Sequence, residues 1–497
     1  MKIKNIIKNG MLVIATAAVT ISCSEDFLDV NDNPNNPPES TPSLTLTVAQ
    51  VQFAKLNAED MNYLGNYMVY NWATPSNWSA NQELFRYTVN NTFYNDIFED
   101  SYSLIFRNLT YVKNVEDPSG AADYGNYDAI VETIKGFQYQ HLVDLYGDVP
   151  YTEANLRGIN TTPKYDDSEI IYKSVIDSLT SAAVLALNPA ENAEDPGSSD
   201  VIFRGDMPSW AQFANTIKLR MLVRLSNTGQ DSYIKAQIAL IDANAAGYVT
   251  EDVSANPGYS QNEDQQSPFY GYAGYNAGGE ELDRHDYTVA SDHIIALLND
   301  NSDNRIDLLF DLPANDDTHK GVKQAISLPG TGFTSNDLSK IGEGLLKSSD
   351  QDQPIMLLAE ALFLQAEANV RGYIDGGDDA AKELYNQGIQ ASFDYLGAEG
   401  AEEYYSQPIK NVSWADSPNQ IEAIITQKYF ALNGVTGIES WIELTRTGYP
   451  SGLPIPEDSD GKRPVRLLYP STEYARNGDN VPPTTTADAF NNPPFWK

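Results

Sequence analysis

The stretch Gln138-Tyr139-Gln140-His141-Leu142-Val143-Asp144-Leu145-Tyr146-Gly147-Asp148-Val149-Pro150-Tyr151 decides how the chain is read. Its first half continues a helical repeat in which Ile130, Ile134, Phe137, His141 and Leu145 share one face, and Gly147 follows as a natural closing residue. The same period recurs further on. A second helix follows Ser168, with a stripe of Tyr172, Val175, Ile176, Leu179 and Ala183, and a third carries Trp210, Phe213, Ala214, Ile217, Met221 and Leu225. A fourth, from Pro354 to about Val370, is apolar nearly all round and is expected to be buried on most sides. The last predicted helix starts with Ser417 as N-cap, Pro418 at its first position and Gln420 completing a capping box, and ends at Asn433-Gly434. Gly136 and the alanines at 359, 361, 366 and 368 place small residues where neighbouring helices can approach closely. Amphipathic helices joined by short connections predict a mostly α helix-hairpin superhelix, although the strict 34-residue tetratricopeptide consensus is not visible. Irregular Gly/Asn/Tyr-rich stretches over 247–288 and 320–350, and a Pro-rich tail from Tyr449, are the insertions most apt to carry function.

The N-terminus predicts export. Lys2, Lys4 and Lys8 precede a short apolar run, Met11 to Ile21, well below the ~20 residues of a membrane-spanning helix. Residues 1–22 therefore read as a removable signal peptide. Thr20-Ile21-Ser22-Cys23 resembles a relaxed lipobox, and Cys23 is the only cysteine in the chain, so it is the expected lipidation site. Residues 23–43 read as a lipidated cysteine and a polar, Pro-rich tether, with 44–497 as one large domain. The acidic Ser24-Glu25-Asp26 resembles the surface-export signal of some Gram-negative lipoproteins; a plain acidic linker is the alternative.

Composition narrows the partners. A net charge of −37 repels nucleic acid and anionic headgroups, while 41% apolar residues are enough to build a core. Thirty Tyr and six Trp beside a mean hydropathy of −0.41 predict a wet, aromatic-rich surface suited to polar ligands.

Four segments in order carry a family resemblance. Gln138–Tyr151 resembles the helix followed by W/Y-G-D-V-P of SusD/RagB-type proteins, and WAQFANTIKLRMLVRLS from Trp210 is similar to their W-x-x-F-A-N-x-L-K-L-R helix. MLLAEALFLQAEANVR from Met356 resembles the family's L-x-x-A-E helix, and Ile424 to Pro450 its C-terminal helix, Gly, Trp and R-x-G segment. RTGYP and the later LLYPSTEYARN fit the second SusD-like subfamily best. The resemblance implies four tetratricopeptide-like helix pairs cradling an irregular, loop-rich ligand-binding half. It also implies an outer-membrane surface location, a nutrient-capture role, and a SusC-type TonB-dependent transporter as partner.

Two aromatic clusters are the candidate ligand contacts. Nine aromatics fall between Tyr63 and Tyr94, far above the chain's 11%. Tyr63, Tyr67 and Tyr70 fit a helical core face. Trp72 and Trp78, with Asn77, sit among Asn, Ser and Pro in an expected loop, where rings could stack on sugar and the amide could bond hydroxyls. The second cluster is Tyr270, Tyr272 and Tyr275 within Phe269-Tyr270-Gly271-Tyr272-Ala273-Gly274-Tyr275-Asn276. In both, rings that merely cover the core are the alternative. Oligosaccharide is the first expectation and peptide the second, since the family includes peptide binders.

A surface glycoside hydrolase or a helical-repeat scaffold are readings of other classes. No nucleophile elbow, P-loop or paired carboxylates stand out, and Glu360 and Glu367 in an apolar helix read as structural. Arg220 and Arg224 read as ion-pair partners, His141 as a core histidine, and Asp458-Ser459-Asp460-Gly461 as an acidic turn rather than a calcium loop. No enzyme activity, cofactor or metal is expected.

Overall fold

The structure, a computed structural model, describes residues 40–497. The expected signal peptide over 1–22, Cys23 and the tether up to residue 39 lie outside the described residues. The first helix, α1 (Pro42–Leu56), begins two residues inside the expected tether: the Thr41 hydroxyl accepts from the Leu44 N–H, and Pro42 fits the first turn because its missing N–H is not needed there. A π-helical turn, Asn57–Met61, follows and leads into α2 (Asn62–Met68).

Eight helices form the scaffold. α3 (Gly125–Tyr146) packs on α4 (Ser168–Leu187), which packs in turn on α5 (Met207–Arg224); α6 (Asp231–Asn244) lies beside them. α7 (Leu358–Val370) pairs with α8 (Gly377–Leu396), and α9 (Gln420–Ala431) and α10 (Gly437–Thr447) close the far side. Small residues set the spacing, as expected. A Cβ on Gly136 would lie 2.7 Å from a Leu179 methyl, and Ala359, Ala361, Ala366 and Ala368 are fully buried. The fold is mostly α, with a tetratricopeptide-like arrangement of helix pairs.

Two expected boundaries shift. The fourth predicted helix does not start at Pro354: Gln353–Met356 forms strand β4, paired antiparallel with β2 (Val253–Ala255), and α7 starts at Leu358. Pro354 suits this two-stranded edge because it needs no ladder donor there. The last predicted helix is capped by Asn419, whose side chain accepts from the Glu422 N–H, rather than by Ser417. The Ser417 hydroxyl instead bonds to the Ser413 carbonyl and accepts from the Asn411 N–H.

The four quoted motif segments meet in a buried ion cluster. Asp144 and His141 come from α3, Arg220 and Arg224 from α5, Glu360 and Glu367 from α7, Lys428 from α9, and Glu439, Glu443 and Arg446 from α10. Arg446 holds Glu367 at 2.7 Å through both terminal nitrogens, Arg224 lies 2.6 Å from Glu439, and Lys428 lies 3.2 Å from Glu360. His141 Nε2 is 2.9 Å from Glu439. Trp496 Nε1 donates to Asp144 at 2.7 Å and fixes the C-terminal tail to the same centre. These acids, bases and His141 are buried and paired inside the scaffold.

Candidate ligand-binding site

The irregular half begins where α1 gives way to the π-helical turn. Such single π turns recur at functional sites because the wider helix re-aims its side chains. Here the turn carries Glu59 and Asp60, both partly exposed. They face the insertion formed by Pro268–Ala273 and Asp283–Tyr287, two short helices of the 247–288 stretch. Between these elements lies a cavity of about 690 Å³, lined by Lys55, Glu59, Tyr259, Gln266, Tyr272 and Tyr287, with Asp264, Asp283 and Arg284 supplying further charge. The size falls within the range of small-ligand sites.

Arg284 organises one wall. Its guanidinium carbon sits 3.6 Å from the centre of the Tyr272 ring, and its Nη1 donates to the Tyr272 carbonyl at 3.1 Å. The Tyr272 hydroxyl donates to Asp60 at 3.3 Å. Burial pushes the Tyr272 hydroxyl well above its ordinary range, Arg284 opposing, so the ring is a neutral donor at any working pH. Burial also pushes the Glu59 carboxyl up to about 7, against the pull of Lys55, and raises Asp60, where Asp96 adds to the effect. The site thus offers one aromatic wall, carboxyl acceptors of adjustable charge and an immobilised guanidinium.

The candidate residues divide. Tyr272 lines the cavity. Trp78, half-buried, packs edge-on against the lining residue Tyr287 with ring centres 5.5 Å apart, and its Nε1 donates to Asp286 at 2.6 Å. It stands one ring behind the wall. Asn77 uses both ends of its amide on the neighbouring loop, accepting from the Ser335 N–H at 2.9 Å and donating to the Ser335 hydroxyl at 3.1 Å. Tyr270 and Tyr275 pack on each other at 5.6 Å, and Tyr275 lies against His285; neither lines the cavity. Trp72 corrects the expectation of a loop ring. It is wholly buried in strand β1 (Trp72–Ala73), which pairs with β3 (Val289–Ala290), and it packs against Tyr63, Tyr67 and Phe269. Its indole has no face open to a ligand. The polar flanks that suggested a loop are themselves buried and bonded: Asn71 donates to Asn66, and Thr74 shares hydrogen bonds with Tyr67 and Asn81.

Glu59, Arg284 and Tyr287 were not among the sequence candidates. Glu59 sits on the end of an amphipathic helix, and nothing in the sequence marks the π turn. Arg284 and Tyr287 do lie in the 247–288 insertion, which was a usable signal.

The architecture is a helical-repeat scaffold with a cavity in its irregular half. Residues 34–470 match the SusD-like_2 family model, described as starch-binding and associating with the outer membrane, and the chain belongs to that family. Comparison with curated proteins returns no match. Among solved structures, it is similar to a chitin-binding SusD homologue from Flavobacterium johnsoniae (22% identity, TM-score 0.73, covering 88% of this chain and 94% of that one). It is also similar to a SusD-like protein from Bacteroides thetaiotaomicron (22% identity, TM-score 0.67, 88% and 94% covered). A SusD homologue from Bacteroides fragilis matches at 22% identity and TM-score 0.69, with 92% and 99% covered. At these identities the structural likeness establishes the fold.

Proposed function

We propose that the protein is a lipid-anchored nutrient-binding protein of the outer cell surface, without enzymatic activity, that captures oligosaccharide and delivers it to a SusC-type TonB-dependent transporter. The observation that carries the ligand part is the 690 Å³ cavity with Tyr272 and Tyr287 on its wall. A pyranose ring presents an apolar C–H face and an equatorial rim of hydroxyls. Tyrosine rings meet the first, and the carboxyls, Gln266 and Arg284 meet the second. Family membership, with its description as starch-binding and outer-membrane-associated, supports glycan and membrane location alike. That a relative of the same fold is described as chitin-binding favours glycan over peptide. Cys23 is the anchor in this reading, the stretch from there to the start of α1 the tether, and the helical remainder one body that swings over the transporter.

The placement of the buried acids supports the non-enzymatic reading. Glu360 and Glu367 are held by Lys428 and Arg446 inside the ion cluster, away from any opening. Isothermal titration of the soluble body with oligosaccharides and with peptides tests the ligand class, with product analysis of the same samples. Oligosaccharide binding without turnover is expected. Peptide binding alone would replace glycan by peptide, and cleavage would make the protein an enzyme. Extraction of native membranes in mild detergent should bring the protein out together with a β-barrel transporter; its recovery alone would remove the delivery step.

A further inference from the structure

We propose that the sugar taken into this cavity carries a free amino group, and that its ammonium pairs with Glu59. The inference rests on the glycan reading above and specifies the charge of the ligand.

The lining is acidic in a particular way. Glu59, Asp264 and Asp283 contribute carboxyls, and Lys55 and Arg284 are the cations. Arg284 is held in place but not used up: its guanidinium lies over Tyr272, reaches the Tyr63 ring at 5.7 Å, and donates from Nη1 to the Tyr272 carbonyl, which leaves further N–H groups for ligand hydroxyls. Lys55 is exposed, one turn before Glu59, and makes no ion pair among the described residues. Glu59 itself has no hydrogen-bond or ion-pair partner among them. It is a partly buried carboxyl that Lys55 and Arg284 influence without pairing to it, next to Asp60, whose own carboxylate accepts from Tyr272. Burial is what holds its protonation near neutrality, and a cation brought within 4–6 Å would reverse that shift.

Each ligand class meets this lining differently. A carboxylated or sulfated sugar would face three carboxyls against the two cations Lys55 and Arg284, in a chain of net charge −37. A neutral sugar could donate a hydroxyl to Glu59 but would bring no charge to balance its carboxylate. An ammonium supplies the missing charge, and a charge-assisted hydrogen bond in a partly desolvated cavity is stronger than a neutral one.

The test compares three oligosaccharide series of equal length by isothermal titration near neutral pH: glucosamine, N-acetylglucosamine and galacturonic acid oligomers. The expected result is glucosamine binding about tenfold tighter than N-acetylglucosamine, the advantage shrinking as salt rises, and no binding of the galacturonic acid series. In Glu59→Gln, with thermal melting used to check the fold, the ratio between the first two should fall toward one. Equal affinities in the wild type, preference for the acidic series, or an unchanged ratio in Glu59→Gln would overturn the amino-sugar proposal and leave the glycan site standing. No binding of any oligosaccharide by the wild type would overturn both.

Discussion

At the scale of residues, Trp72 and Trp78 show how far composition can be trusted. Both sit among Asn, Ser and Pro, and the sequence offers no way to separate them. The structure does: one indole fills the core and the other backs the cavity wall. Trp72→Ala should therefore act through stability, costing about 3–5 kcal/mol as large-to-small core changes do. Denaturant unfolding would read this, and a variant of wild-type stability with lost ligand affinity would contradict it. Glu59 gives a second residue-level outcome. Its folded pKa, raised to about 7, lies above its unfolded value, so ionising it on folding is unfavourable. The resulting loss of stability sets in as pH rises through about 4.5 and is complete above about 7. Glu59→Gln should consequently melt higher than wild type at pH near 8 and lose that advantage at pH near 4. A variant that melts lower at pH 8 would show that Glu59 already has a partner there.

At the scale of elements, the helices were legible because period, caps and small residues are local signals. α3, α4 and α5 follow their stripes closely, whereas Pro354 and Ser417 misled. In each case a tertiary partner decided the boundary: β2 drew Gln353–Met356 into a strand, and Ser413 took the Ser417 hydroxyl. The crossing of α2 and α10 had no local signal at all. Gly65 lies so close to α10 that an added Cβ would fall 2.0 Å from the Gly437 carbonyl carbon, and Asn62 and Asn66 lock the crossing through Gly434 and Gly437 backbone groups. Gly136 differs, because its added Cβ would meet only the movable end of Leu179. Gly136→Ala should be nearly neutral, its packing cost offset by the ~1 kcal/mol that alanine gains over glycine in a helix. Gly65→Ala has rigid backbone in its way and should lose more than the ~1–3 kcal/mol typical of overpacking. Chemical denaturation of the two variants side by side checks the contrast; equal losses would contradict it.

At the scale of the whole molecule, the motif segments are explained by the place where they converge. Their shared content is the ion cluster, so they specify the scaffold and are silent about ligand. This is why the family and fold could be read from the sequence while the cavity could not: its wall joins residues from 51 to 287, brought together only by folding. The cluster also sets the acid limit. Burial pushes the Glu443 carboxyl up, but Arg446, Lys428 and Arg224 outweigh it and bring it to about 2; Glu439 is lowered for the same reason by Arg220 and Arg224. A depressed carboxylate stabilises the fold above its unfolded pKa of about 4.5, and that contribution is lost as pH falls toward about 2. Melting temperature should drop steeply across that window. Truncating one partner, as in Arg446→Met, should cost about 3–5 kcal/mol at neutral pH, since it removes the two-point partner of Glu367 and the nearest cation of Glu443 inside a buried cluster. Cys23→Ala should release the protein from the cell surface and stop uptake while the soluble body binds ligand as before; loss of binding would make the tether part of the site.

The most direct measurement is oligosaccharide titration of the wild-type soluble body against Tyr287→Ala, with tryptophan emission followed in the same samples and in Trp78→Phe, so that the Trp78 share is separated from that of the other five indoles. A glycan site walled by Tyr272 and Tyr287 requires saturable binding by the wild type, a change in emission from Trp78 behind that wall, and at least tenfold weaker binding by the variant. Wild-type affinity in Tyr287→Ala, or binding that leaves the emission untouched, would place the ligand elsewhere and contradict the site.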